Sequence, residues 1–381
     1  MSEILTIKNF GPIKDVTLEF RKVNILIGDQ GTGKSTVAKL LSVIKGVSHL
    51  SDMDLRVAGK IAKAEERAEY FFNYFKDLLE TYGIINYLKP DSFIEFSDSF
   101  NYLKYENKNI LVKRNSVEVK DKHSSVIAYI PAYREAAVLL KDSLNAIAAI
   151  GTPLPKIFYF FGQNVINAKK AKSLYNYNDV LNVSYKYVGD NDIIVMKNGN
   201  EIPIEEASSA INSGIPLLLV FDNAVESNHP SDSRISHHLN CPYIIIEEPE
   251  LNCFPTTQKK LMEYFISKIK YVTKVDFDYY CRLIITTHSP YILASLNNLM
   301  YAYKVGQEHN EETNNIIEKK YWINPDDVSA YILLQDGTYE DILDREENLI
   351  KAEKIDSVSN EINENFSTLI NIEMSVKHEE Y

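Results

Sequence analysis

Residues 28–35 read Gly28-Asp29-Gln30-Gly31-Thr32-Gly33-Lys34-Ser35, and no other stretch constrains the fold so tightly. Three glycines let the backbone turn sharply and aim successive N–H groups inward, which makes a cradle for an anion. The stretch fits G-x-x-x-x-G-K-[ST] without a mismatch. Val23-Asn24-Ile25-Leu26-Ile27 before it is a short apolar run of strand character, and Val37, Leu40, Leu41 and Ile44 after it recur at helical spacing. Strand, glycine loop and helix in that order form a phosphate site, because the helix adds the positive end of its dipole. Lys34 is expected to reach the β- and γ-phosphates of a nucleotide, and the Ser35 hydroxyl to ligate Mg²⁺, a hard ion that prefers oxygen. The expected nucleotide contacts are Gly28, Asp29, Gln30, Gly31, Thr32, Gly33, Lys34, Ser35 and Thr36.

Two later segments repeat a buried strand that ends in polar residues. Tyr243-Ile244-Ile245-Ile246 runs into Glu247-Glu248-Pro249-Glu250. Beside a phosphate loop, one such carboxylate can hold Mg²⁺ through water and a second can orient or deprotonate the attacking water. Glu247 is assigned to the metal and Glu248 to catalysis, with Glu250 structural or at a subunit contact. Leu283-Ile284-Ile285-Thr286 runs into Thr287-His288-Ser289-Pro290. Ligands gather at the C-terminal edge of strands in open α/β sheets, so His288 is expected to contact the γ-phosphate.

The chain has 381 residues, 45% hydrophobic and 25% charged, and a net charge of −12. That balance argues against a broad nonspecific nucleic-acid surface, which needs clustered Lys and Arg. The densest basic run, Lys169-Lys170-Ala171-Lys172, reads as a solvated helix face. Cys241, Cys253 and Cys281 are scattered without metal spacing and read as small buried side chains in a reducing compartment. No run approaches the ~20 apolar residues of a membrane span and the N-terminus has no signal-peptide pattern, so no membrane contact and a cytoplasmic location are expected.

Residues 3–9 and 16–20 read as strands around a turn at Gly11-Pro12, and 51–82 as helix. Residues 92–130 read as several short strands, with weak turns at Asn107-Lys108 and Arg114-Asn115. The segment 134–175 reads as helix interrupted at Gly151-Thr152-Pro153, and 184–204 as a hairpin turning at Asn198-Gly199-Asn200. A helix N-terminus is expected near Ser208, an exposed loop over 225–240, and a charged, peripheral helical tail over the last ~40 residues.

The order of these parts resembles the ABC-type ATPases of the SMC, RecF and OLD group, AAA-family ATPases. Ile7-Lys8-Asn9-Phe10-Gly11-Pro12-Ile13 is similar to their first strand and turn, Glu247-Glu248-Pro249-Glu250 to their Walker B motif and Thr287-His288-Ser289-Pro290 to their switch histidine. Tyr129-Ile130-Pro131-Ala132-Tyr133-Arg134 is similar to a Pro-Ala-x-Arg element of some members. The resemblance implies an α/β fold, an ABC-type P-loop ATPase head with a mixed sheet, a β-rich lobe and an inserted helical segment. It implies one domain over 1–381, with a helical insertion at 49–90, the β-rich lobe at 91–130, a helical segment at 136–180 and a peripheral C-terminal region at 311–381. In this group ATP is sandwiched between two subunits, and a serine-rich signature of one covers the nucleotide of the other. Ala207-Ser208-Ser209-Ala210 is the candidate signature, with Ser208 and Ser209 as the contacts. Ala210 stands where a glycine is usual, a substitution the backbone accepts only at negative φ.

No acidic Asp-x-Asp cluster of the attached OLD nuclease is found, nor a sustained heptad repeat. The resemblance therefore implies a stand-alone ATPase, a homodimer or higher even oligomer, that uses ATP and Mg²⁺. Three functions stay open. One is a switch acting on a separately encoded effector such as a nuclease, as in bacterial anti-phage defence. The second is a RecF-like repair ATPase that binds DNA, and the third a nucleotide-binding scaffold with little turnover.

Overall fold

The structure is a computed structural model, and it describes residues 3–57, 64–114, 122–136, 155–226, 238–272, 281–351 and 362–371. In chain order the elements begin with β1 (Glu3–Phe10), β2 (Ile13–Phe20), β3 (Val23–Ile27), α1 (Lys34–Val57) and α2 (Ala64–Thr81). Next come β4 (Leu88–Ser97), β5 (Asn101–Glu106), β6 (Asn109–Arg114), β7 (Lys122–Ile130) and α3 (Lys156–Ala171). They are followed by β8 (Leu174–Tyr177), β9 (Val183–Val188), β10 (Asn191–Met196), β11 (Glu201–Pro203), α4 (Ser209–Glu226), β12 (His238–Glu247) and α5 (Pro255–Val272). The rest are β13 (Arg282–Thr286), α6 (Pro290–Val305), α7 (Asn310–Ile316), β14 (Val328–Leu333), β15 (Tyr339–Asp341), β16 (Leu343–Asp344) and β17 (Leu349–Ile350).

A six-stranded sheet in the order β15-β14-β3-β13-β12-β7 organises the molecule, parallel throughout except for the β14–β15 pair. Its strands read as unbroken apolar runs because both faces are covered. Successive residues alternate between two cores. Val23, Ile25 and Ile27 of β3, Ile244 and Ile246 of β12 and Leu283 and Ile285 of β13 face one core, with Phe161 of α3, Leu218 of α4, Phe265 of α5 and Leu296 of α6. Leu26, Ile245 and Ile284 face the other, with Val37, Leu40, Leu41 and Ile44 of α1 and the inner side chains Leu5, Ile7, Val16, Leu18, Ile94 and Phe96 of an antiparallel sheet. That second sheet runs β2-β1-β4-β5-β6, so α1 lies sandwiched between two sheets. A four-stranded antiparallel sheet, β11-β10-β9-β8, supplies Tyr175, Tyr177 and Tyr185 to the first core.

Several sequence expectations need correction. The segment 134–175 is not helical to its end, because Leu174–Tyr177 is strand β8, where alternation buries Tyr175 and Tyr177. The hairpin over 184–204 is three strands, with a further turn at Gly189-Asp190, where φ is +55° and +65°. β7, within the span 91–130, leaves the antiparallel sheet and pairs with β12. The C-terminal span is not wholly peripheral either, since β14 pairs with β3 inside the central sheet. Its Val-Ser-Ala-Tyr-Ile-Leu is too short to stand out beside the charged tail, and only pairing with β3 reveals its place. Residues 362–371 are helical and exposed; the break expected at Gly151-Thr152-Pro153 lies outside the described residues, as does 227–237 of the loop expected over 225–240, whose ends are instead the last residues of α4 and the first of β12.

Candidate nucleotide site

The phosphate loop joins β3 to α1 as its sequence predicts. Gly28 has φ +141°, and a Cβ there would stand 2.4 Å from the Leu333 carbonyl oxygen at the end of β14, so the close approach of β14 demands glycine. Gly33 has φ +105° and packs its bare face on Pro12 and Ile13 of the β1–β2 turn. The Thr32 hydroxyl donates to the Asp29 carbonyl at 2.9 Å, and the Gln335 amide donates to the Gln30 carbonyl at 3.3 Å. Ser35 is exposed at the start of α1, and Thr36 is buried behind it.

Lys34 is folded onto its own loop rather than extended. Its ammonium donates to the Gly28 carbonyl at 2.7 Å and the Asp29 carbonyl at 2.8 Å, and the residue is only 6% exposed. Burial lowers its pKa, while the charges of Glu248, Asp29 and Glu250 pull it back up. Glu248 is thus the carboxylate Lys34 feels most.

β13 lies between β3 and β12, and the three strands end at one edge. Glu248 follows β12 in a left-handed conformation, φ +46°, a strained choice for a residue with a side chain. Its N–H donates to the Thr286 carbonyl at 2.8 Å. His288 Nε2 lies 3.7 Å from Glu248 Oε1, and both side chains are partly open to solvent. Glu247, the last residue of β12, is buried. Its Oε2 accepts from the Ala132 N–H at 3.3 Å, whereas Oε1 is buried without a well-formed hydrogen bond. The buried Tyr129 hydroxyl sits close by in poor hydrogen-bonding geometry; burial and the Glu247 charge drive its pKa well above 10. A buried carboxylate at the strand end whose Oε1 has no well-formed bond beyond the neighbouring Tyr129 hydroxyl is a hard oxygen donor and fits a cation held partly through water.

Two supports hold these turns: Glu250, read in the sequence as structural, and Arg134, whose role the sequence reading misses. Glu250 ties the two turns together, its Oε1 accepting from the Thr287 hydroxyl at 2.7 Å and the His288 N–H at 2.8 Å. Arg134, read only as part of a family element, is 0% exposed and donates to the carbonyls of Glu247 at 2.9 Å and Glu248 at 3.0 Å, as well as to Ser213 of α4 at 3.2 Å. Burial lowers its pKa to about 10 against the raising influence of Cys253 and the nearby carboxylates. The only sequence signal for the clamp is an arginine placed just past a buried strand.

Ser208 and Ser209 are exposed at the start of α4. The helix packs on β7 and β12, at the far side of the sheet from β3. Three strand spacings separate β3 from β7, about 14 Å. Among the described residues neither serine hydrogen-bonds to the phosphate loop of its own chain. Ala210 lies inside α4, and its φ is not positive, so alanine fits there.

A protein-family profile described as AAA ATPase domain matches residues 1–146 and 136–293. No curated protein matches the sequence. Among solved structures, the chain is similar to an SMC head bound to the C-winged helix domain of ScpA, with 11% identity, TM-score 0.44 and coverage of 91% of this chain and 99% of that one. It is also similar to the SMC head domain from Thermotoga maritima, with 14% identity, TM-score 0.38 and coverage of 77% and 91%. A third is the Pyrococcus furiosus Smc head with an extended coiled coil, bound to the C-terminal domain of ScpA, with 10% identity, TM-score 0.40 and coverage of 95% and 99%.

Proposed function

Since the chain belongs to the AAA ATPase domain family, we propose that it hydrolyses Mg-ATP in a site shared between two copies of itself and uses the cycle to switch a partner protein. The observation that carries this reading is that Lys34, Glu248 and His288 stand at the ends of neighbouring strands β3, β12 and β13 on one sheet edge, with His288 Nε2 3.7 Å from Glu248 Oε1. The loop N–H groups and Lys34 bind and orient the phosphates, and Ser35 and Glu247 would hold Mg²⁺, which would supply positive charge to the phosphates. Glu248 takes the proton of the attacking water, and His288, 3.7 Å away, holds that carboxylate and faces the γ-phosphate.

The exposed serines of α4, which make no hydrogen bond to their own loop, suit a second chain's nucleotide. Exposed Tyr133, Phe254 and Tyr291 follow the ends of β7, β12 and β13 on the same edge, an apolar rim suited to being covered. Switching of a separate effector, as in anti-phage defence, rests on the family resemblance of the sequence, and the −12 charge favours it over DNA clamping.

The test is Glu248→Gln. The amide keeps the shape but cannot accept a proton, so ATP should still bind while turnover falls by about a hundredfold or more. If Glu247→Gln stops turnover with Mg²⁺ affinity intact and Glu248→Gln turns over normally, the two roles are reversed.

A further inference from the structure

Arg134 makes contacts that ATP binding alone does not require. Its guanidinium donates to five backbone carbonyls drawn from three segments. Nε reaches Ser213 of α4 at 3.2 Å. Nη1 reaches Pro131 at 3.5 Å, just past β7, and Glu247 at 2.9 Å. Nη2 reaches Glu248 at 3.0 Å and Pro249 at 3.4 Å. One planar fork thus spans the signature helix and both sides of the peptide carrying Glu248. A lysine at this position has one point of charge and cannot hold the same set.

The two ends of this bridge differ in stiffness. Pro216 stands inside α4 and removes the N–H that would take the Asn212 carbonyl, which makes the first turns of the helix its most separable part. Glu248, at the other end, sits at φ +46°, a conformation that lasts only while its surroundings hold it. Its N–H is pinned by Thr286, and its carbonyl accepts from Leu251 at 3.1 Å and from Arg134.

We propose that Arg134 is a positioning residue that carries the seating of the α4 N-terminus on a second chain's ATP to Glu248, so that closure of one site sets the carboxylate of the other. This rests on the shared-site reading above. When Ser208 and Ser209 engage, the first turns of α4 shift, the Ser213 carbonyl shifts with them, and the fork moves the Glu247-Glu248-Pro249 turn. Hydrolysis at the two sites is thereby coupled through each chain and not only across the interface.

The experiment is a double-mutant cycle between Arg134→Lys and Ser209→Ala in the full-length chain, read as kcat, ATP Kd and thermal midpoint. Arg134→Lys should lower kcat by about tenfold to a hundredfold while ATP Kd stays within about threefold, because binding groups remain and only the carboxylate is misplaced. Ser209→Ala should lower kcat in the parent chain and by a clearly smaller factor beside Arg134→Lys, where only its direct contact with the nucleotide is left to lose. Losses that simply multiply overturn the relay. So does a parallel loss of ATP affinity and kcat, the mark of a structural prop.

If Arg134→Lys does not fold, hydrogen exchange on Glu248→Gln with ATP decides instead. Protection of amides 247–251 should appear with ATP and vanish when Ser209→Arg is added, while amides 28–36 stay protected; protection of 247–251 that survives Ser209→Arg overturns the relay. Failure of Glu248→Gln to dimerise with ATP is a separate readout, which sinks the shared site and the relay with it.

Discussion

Lys34, proposed to bind the phosphates, is a buried lysine. Its ammonium trades water for the Gly28 and Asp29 carbonyls, and the cost of burial shows in a lowered pKa that three carboxylates partly restore. A polyphosphate offers the same ammonium a charged acceptor in place of two neutral ones. Lys34→Ala should weaken ATP binding by on the order of a hundredfold, the loss expected for a charge-assisted contact. Its stability should change by less than about 1 kcal/mol, because Asp29 is exposed and Gly28 half-buried, so water can take up both carbonyls. Equilibrium titration with a fluorescent ATP analogue, alongside thermal unfolding, checks both parts. Unchanged affinity in a folded variant removes the phosphate loop from the mechanism.

Between elements, the sheet end opposite the nucleotide is joined by buried charge. Lys45 of α1 reaches Asp98, in the β4–β5 turn, at 2.7 Å and Glu3 of β1 at 3.4 Å. It also lies 4.3 Å from the Phe96 ring centroid and 4.2 Å from that of Tyr243. Glu3 in turn takes Arg282 of β13 at 3.1 Å and the Tyr243 hydroxyl. The cluster fastens both sheets to α1. Burial opposes ionisation of Asp98, but Lys45 and the N–H groups of Phe100 and Asn101 outweigh it and hold the pKa below the ordinary 3.8. A depressed carboxyl contributes stability above its unfolded pKa and loses it as pH falls through the folded value. The contribution should therefore be whole at neutral pH and fade below about pH 4, and Asp98→Asn should flatten that acid limb in denaturant titrations. Lys45→Met should cost about 3 kcal/mol by stranding a buried carboxylate, and adding Asp98→Asn should return part of it. Equal stability of the single and double variants would show that Asp98 is solvated in solution.

Assembly follows from how far α4 lies from β3. A nucleotide on the phosphate loop presents its γ-phosphate to solvent unless something closes over it, and hydrolysis needs that side covered and its water positioned. On the shared-site proposal, Ser208 and Ser209 of one chain serve the nucleotide of its two-fold mate. Mixing Lys34→Ala with Ser209→Arg subunits tests this. In a hybrid, one site combines both defects and the other neither, so about half the parental activity per hybrid should return if the sites act independently. Recovery well below half is what the Arg134 relay adds, because the intact site's Glu248 belongs to the chain whose Ser209→Arg helix cannot engage; full activity from a strict monomer counts against a shared site.

The phosphate loop, the two polar strand ends and the helix start near Ser208 were legible in the sequence because each is a local pattern: glycines at fixed offsets, an apolar run halted by carboxylates or histidine, serines before an apolar helix. Period-2 and period-3.6 spacing likewise marked most strands and helices. Pairing between distant segments was not legible, since it leaves no local trace. β14 is an unremarkable apolar stretch until it lies beside β3 and presses the Leu333 carbonyl against Gly28. Arg134 is one charged residue after a strand until folding surrounds it with five carbonyls from three segments. Sequence therefore named the groups proposed to touch the nucleotide, whose chemistry is their own, while the groups that hold them acquire a role only when the fold brings remote backbone to them.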